Sequence, residues 1–169
     1  SSDFIYAPQM YKPKKERMNK MTLAKIVYAT NTGNTEGISE ILEDAFEEIG
    51  VDVERVEADD AEADFYEDAD ICVLATYTDG DGELPFDLED LHEELPDEDL
   101  SGKIYGVVGS GDSELYPDYF CHAAVAFDEA FAKTGAKKAA ETVKIENEAD
   151  DEDEEVLKAF VKALVEAAE

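Results

Sequence analysis

Ala29-Thr30-Asn31-Thr32-Gly33-Asn34-Thr35 is the stretch around which the chain is organised. Ahead of it, Ala24-Lys25-Ile26-Val27-Tyr28 reads as a strand, and behind it Ile38, Ile41, Leu42, Ala45 and Ile49 recur at helical spacing. The stretch is therefore a strand-to-helix turn carrying three threonine hydroxyls, two Asn amides and one Gly. A helix start presents unpaired N–H groups and the positive end of the helix dipole, which suits an anion. The hydroxyls add donors, and Gly33 lets the backbone approach a ligand closely. The turn has no Lys in the position that grips a nucleoside triphosphate, and it lacks the three-glycine spacing of a dinucleotide site. A single terminal phosphate held by neutral donors fits what remains.

Strand and helix patterns alternate from Leu23 onward. Val51 to Val56 alternates apolar with polar, as a half-exposed strand does, whereas Ile71-Cys72-Val73-Leu74-Ala75 and Ile104-Tyr105-Gly106-Val107-Val108 are continuously apolar, as strands covered on both faces are. A short helix is expected after Pro85 with Leu88, Leu91 and Leu95 inward. A longer one carries Phe120, Ala124, Phe127 and Phe131 and closes near Gly135. Thr142 to Ile145 alternates again, and a last helix shows Val156, Leu157, Phe160, Val161, Leu164 and Val165 behind the acidic run 150–155. This pattern predicts an α/β fold: a doubly wound, five-stranded parallel sheet of order 2-1-3-4-5 with helices on both faces. Ligands then bind beyond the carboxyl ends of strands 1, 3 and 4. Strand 3 runs into Thr76-Tyr77-Thr78-Asp79-Gly80, and strand 4 into Gly109-Ser110-Gly111-Asp112, followed by Tyr116, Tyr119, Phe120 and Cys121. An aromatic in each loop suits a flat ring held between them.

Charge is extreme, with 45 acidic against 14 basic residues and a formal net charge of −31. Residues 1–20 run the other way, with Lys12, Lys14, Lys15, Arg17 and Lys20 against Asp3 and Glu16. The rest keeps 43 of the acids and 9 of the bases, a net of −34. Such a body should bind neither nucleic acid nor an anionic membrane. Its apolar periodicity is intact, so disorder does not explain the acidity. Concentrated salt does, because at about 1 M the Debye length falls to about 3 Å and self-repulsion is screened. A halophile's cytoplasm is the expected setting. Two cysteines far apart in sequence, one of them within a buried strand, indicate reduced thiols rather than a disulfide framework. Residues 1–20 read as a basic N-terminal extension, disordered or foreign to the domain, and 21–169 as one domain.

Taken together, the three loops resemble those of the flavodoxins. Thr30-x-Thr32-Gly33-x-Thr35 matches that family's phosphate loop, Thr76-Tyr77 with the following Asp-Gly-Asp resembles its first flavin loop, and Gly109-x-Gly111-Asp112-Ser113 with Tyr116 and Tyr119-Phe120-Cys121 its second. The resemblance implies non-covalent FMN, with the phosphate on residues 30–35, the isoalloxazine between the two later loops, and Asp112 near the ring or ribityl chain. It implies a low-potential one-electron carrier between redox proteins, monomeric and cytoplasmic, and not an enzyme. The last strand shows no long insertion, so the short-chain type is expected. The stacking aromatic is Tyr77, with Thr78 in its place under a shifted gap, and its partner is Tyr116 or Tyr119. The peptide that turns its carbonyl toward the flavin on reduction is correspondingly Thr78–Asp79 or Asp79–Gly80. The competing reading is an FMN-dependent NAD(P)H:quinone reductase on the same fold. That enzyme needs a nicotinamide or quinone pocket, for which the chain has no spare segment. His92 and His122 are too few and too far apart for a metal or nucleophilic site, and packing is the expected role of Cys121.

Overall fold

The computed structural model describes residues 22–30, 33–78, 84–111 and 121–168. The elements run β1 (Leu23–Tyr28), α1 (Asn34–Ile49), β2 (Asp52–Glu57), β3 (Ile71–Tyr77), α2 (Glu89–Glu94), β4 (Ile104–Gly111), α3 (His122–Ala132), β5 (Lys137–Lys138), β6 (Val143–Glu146) and α4 (Asp151–Ala168). All strand pairings are parallel, and the order is β2-β1-β3-β4-β5, with β6 also paired to β4. The expected order thus holds. The expected fifth strand, Thr142 to Ile145, is β6 beside residues 108–111, and the two-residue β5 beside Ile104 and Tyr105 is an additional strand. Between them the chain turns aside at residues 139–142. Here Lys138 reaches Asp128 of α3 at 2.8 Å, and Asp128 also accepts from the Tyr105 hydroxyl at 2.7 Å.

The period-2 alternation of the strands sorts side chains into two cores. Ala24 and Ile26 of β1, Ile71, Val73 and Ala75 of β3, and Ile104 and Val108 of β4 pack under α1 and α4, against Ile38, Leu42, Phe46, Leu157, Phe160 and Leu164. Val27, Cys72, Leu74, Tyr105 and Val107 face the other way, against Leu88, Leu91, Leu95, Phe127 and Phe131. The buried strands are apolar because both faces are covered, and β2 alternates because it is an edge.

The β2–β3 connection holds two 3-10 turns, Ala58–Asp60 and Ala63–Tyr66, in place of a full helix. Tyr66 closes the layer there, fully buried, with its hydroxyl donated to the Val73 carbonyl at 2.6 Å. The helix after Pro85 is likewise short, with a 3-10 turn at each end. The acidic run before the last helix is its cap: the Asp153 N–H donates to the Asp150 carboxylate at 2.8 Å and the Asp150 N–H to that of Asp153 at 3.1 Å. This reciprocal pair satisfies two orphan donors, and the other acids of the first turn favour the dipole. Among the described residues, no helix is long and apolar enough to cross a membrane.

Candidate functional site

The order β2-β1-β3-β4 brings the carboxyl ends of β1, β3 and β4 side by side, and threonine hydroxyls tie the end of β4 to the start of α1 and the end of β3 to the start of α3. At the end of β1 the Thr30 hydroxyl accepts the Gly33 N–H at 2.9 Å. Because it is the acceptor there, its own hydrogen is left to donate elsewhere. Gly33 has φ 95°, the left-handed region that an L residue enters at a cost, and a Cβ placed on it would meet nothing within 4 Å. The backbone is therefore open on that side. α1 starts at Asn34 with no side-chain cap, so its first N–H groups point out of the turn. Arg55, the one arginine among the described residues, is directed to Ser39 and Glu43. Neutral N–H and O–H donors, an uncapped helix start and an open glycine fit a phosphate group.

Thr35 is 1% exposed, and its hydroxyl lies 2.9 Å from that of Ser110, which is 3% exposed. This pair joins the β1 turn to the end of β4 across 75 residues of sequence. The strand pattern accounts for it: Val108 and Ser110 lie on the α1 side of β4, whereas Gly109 lies on the α3 side. A Cβ on Gly109 would stand 2.7 Å from that of Ala124 and 3.2 Å from that of Cys121. Gly109 is thus needed for α3 to pack closely on β4.

At the end of β3, Thr76 is buried and its hydroxyl donates to the Tyr77 carbonyl at 2.8 Å. Tyr77 is half-buried at the mouth, a surface suited to a flat ring. The Thr78 hydroxyl accepts the Ala123 N–H at 3.0 Å. It therefore supplies the first turn of α3 with a partner, and Cys121, at the N-cap, makes no side-chain cap. Cys121 itself is fully buried in left-handed backbone, φ 57°. Burial pushes its thiol up to about 12, and that of Cys72 likewise, so neither is a nucleophile at neutral pH.

Of the residues singled out in the sequence, Thr30, Gly33, Asn34, Thr35, Thr76, Tyr77, Thr78, Gly109, Ser110, Gly111 and Cys121 come together at this sheet edge. Asn31, Thr32, Asp79, Gly80, Asp112, Tyr116, Tyr119 and Phe120 lie outside the described residues. Sequence reasoning missed Asn147, whose N–H donates to the Gly111 carbonyl at 2.8 Å from left-handed backbone, φ 53°. Its residue type was the available signal, because Asn tolerates that region better than most. Among the described residues, no group of three or more His, Cys, Asp or Glu is placed to hold a metal.

Comparison with known proteins gives a consistent relationship. The flavodoxin family profile matches residues 26–160. A probable flavodoxin of Bacillus subtilis is 39% identical over 138 residues, covering 80% of this chain and 90% of its own length. A Streptococcus pneumoniae flavodoxin structure superposes with a TM-score of 0.83 at 47% identity, covering 86% of this chain and 99% of that one. A short-chain flavodoxin associated with a bacterial microcompartment superposes at 0.85 with 42% identity, covering 88% and 100%. With this agreement over nearly the whole described fold, the chain belongs to the flavodoxin family.

Proposed function

We propose that this protein carries electrons one at a time between redox proteins, on non-covalently bound FMN at low potential. The observation that carries the reading is the set of neutral donors at the start of α1, joined by the Thr35–Ser110 hydroxyl bond to the end of β4. Residues 30–35 hold the phosphate, and Tyr77 with an aromatic of the loop after β4 flanks the ring. When bound, the flavin supplies the redox chemistry, and the protein binds it, excludes water and tunes it. Thr30 donates to the phosphate while it accepts from Gly33. Thr78 braces the start of α3, and Gly109 allows α3 to lie close behind the ring loop.

The potential is low because the formal net charge of −31 disfavours an added electron on the flavin. Each carboxylate about 10 Å away disfavours added negative charge by about 0.4 kcal/mol in water before screening. The same field favours partners that present a basic face. The formal net charge of −31 on a chain with complete apolar cores supports a salt-rich cytoplasm as the setting, and two buried unpaired thiols suit a reducing one. Residues 21–169 form the FMN domain, monomeric, and residues 1–20 a basic extension outside it. Mixing the purified protein with NADH or NADPH and a quinone tests the reading. No turnover is expected until a second redox protein is added, and turnover without one would establish a quinone reductase instead.

A further inference from the structure

We infer that Ser110 is a positioning residue for the phosphate, acting through the Thr35 hydroxyl without touching the ligand; this rests on the FMN reading above. Ser110 stands at the end of β4, where the chain enters the ring loop, and on sequence alone it belongs with the flavin ring. Its side chain goes elsewhere, to Thr35 on the first turn of α1, 2.9 Å away. Both groups are almost completely buried, so water does not complete their hydrogen bonding.

Each hydroxyl has one hydrogen and two lone pairs. The bond between them uses one hydrogen and leaves the other in need of an acceptor. Around Thr35 the first turn of α1 offers backbone N–H groups, which are donors, and no side chain caps them. A phosphate oxygen supplies that acceptor. When Ser110 donates to Thr35, the Thr35 hydrogen is directed at that oxygen, and accepting from Ser110 strengthens Thr35 as a donor. When Ser110 is absent, the Thr35 hydroxyl loses both its orientation and its polarising partner. Ser110 also fixes the β1 turn against β4, so the two halves of the ligand are held at a set separation.

The test is a fluorescence titration of the full-chain apoprotein with FMN and with riboflavin, for the natural protein, Ser110→Ala, Ser110→Cys, Thr35→Val and the double variant. Loss of one buried hydrogen bond to a charged ligand's donor corresponds to a rise in FMN Kd of about tenfold. Ser110→Ala should show that rise while its riboflavin Kd stays within about twofold. Ser110→Cys, close in volume with a weaker donor, should fall between. In the Thr35→Val background, Ser110→Ala should have no further effect on FMN, since the double-mutant cycle isolates the pair. Equal weakening of FMN and riboflavin, or an undiminished effect in the Thr35→Val background, would overturn the inference, as would no effect at all. A natural protein that takes up neither flavin would overturn the FMN reading and this inference with it.

Discussion

Thr78 gives the most informative perturbation, because its hydroxyl and its β-branch do opposite things. The hydroxyl accepts the Ala123 N–H at 3.0 Å and so acts as a helix cap supplied from 45 residues away. Removing such a cap costs about 0.5–2 kcal/mol. The branch, in contrast, resists positive φ, which the family's peptide turn toward the flavin demands at this position if Tyr77 is the stacking residue. That strain is worth about 1–3 kcal/mol. Thr78→Ala should destabilise the apoprotein by the cap alone, lowering Tm by roughly 1–8 °C at about 2–4 °C per kcal/mol for a domain this size. Thr78→Gly should lose the cap as well, with about 0.5–1 kcal/mol more from chain entropy. It should nevertheless widen the gap between the two one-electron potentials of the bound flavin. Thr78→Ser keeps the hydroxyl and removes the branch, so its Tm should stay near that of the natural protein. Thermal melts followed by circular dichroism, with potentiometric titration of the flavin-loaded proteins, read both effects. Thr78→Ala and Thr78→Ser of equal stability would refute the cap. An unchanged potential gap in Thr78→Gly would move the turning peptide to Asp79–Gly80, where Gly80→Ala should narrow the gap.

Four further outcomes follow from named contacts. Thr30→Ala removes a donor at the phosphate turn and should weaken FMN by about 1–3 kcal/mol, measured by isothermal titration, with little change for riboflavin. Gly109→Ala puts a Cβ 2.7 Å from that of Ala124 and should cost about 1–3 kcal/mol in urea unfolding; a neutral result would mean that α3 does not pack as described. Within the Asp128–Lys138 pair, burial works against the Asp128 carboxylate, but Lys138 and the Tyr105 hydroxyl outweigh it and hold its pKa below the usual value. The Asp128 hydrogen bond raises that of Lys138. The contribution is therefore complete from about pH 4 to about pH 10. It is lost in acid as pH falls through the lowered Asp128 value, and in alkali as pH rises through the raised Lys138 value. Asp128→Asn should reduce stability at pH 7 and leave it nearly unchanged at pH 2, as denaturant melts at the two pH values would show. Finally, Tm should climb steeply from millimolar to molar KCl as self-repulsion is screened, and a Tm indifferent to salt would refute the salt-rich setting.

Much of this fold was legible because burial writes itself into residue type. Ile71 to Ala75 and Ile104 to Val108 are continuously apolar since helices cover both of their faces, and with the alternating second and fifth strands taken as edges this pattern orders the sheet. The additional strand β5 was not legible. Lys137–Lys138 is too short to carry a periodic sign, and both residues are exposed. The 3-10 turns between β2 and β3 were missed for a similar reason, because Tyr66 fills by itself the space that a helical stripe would cover. At the site, turn chemistry singled out Thr30 and Gly33, which the structure joins in one turn through the Gly33 N–H and the Thr30 hydroxyl. The partners of Thr35 and Thr78 needed the folded chain, since Ser110 and Ala123 come from other elements. Strand alternation does place Ser110 on the side of β4 opposite Gly109, and that much could have been read in advance.

The most direct measurement is an anaerobic reductive titration of the apoprotein loaded with one equivalent of FMN, followed by absorbance in 2 M KCl. Tight uptake of one FMN per chain is expected, with reduction in two separate one-electron steps, the second at low potential and rising with added salt. No uptake of FMN, or reduction in a single two-electron step, would contradict it.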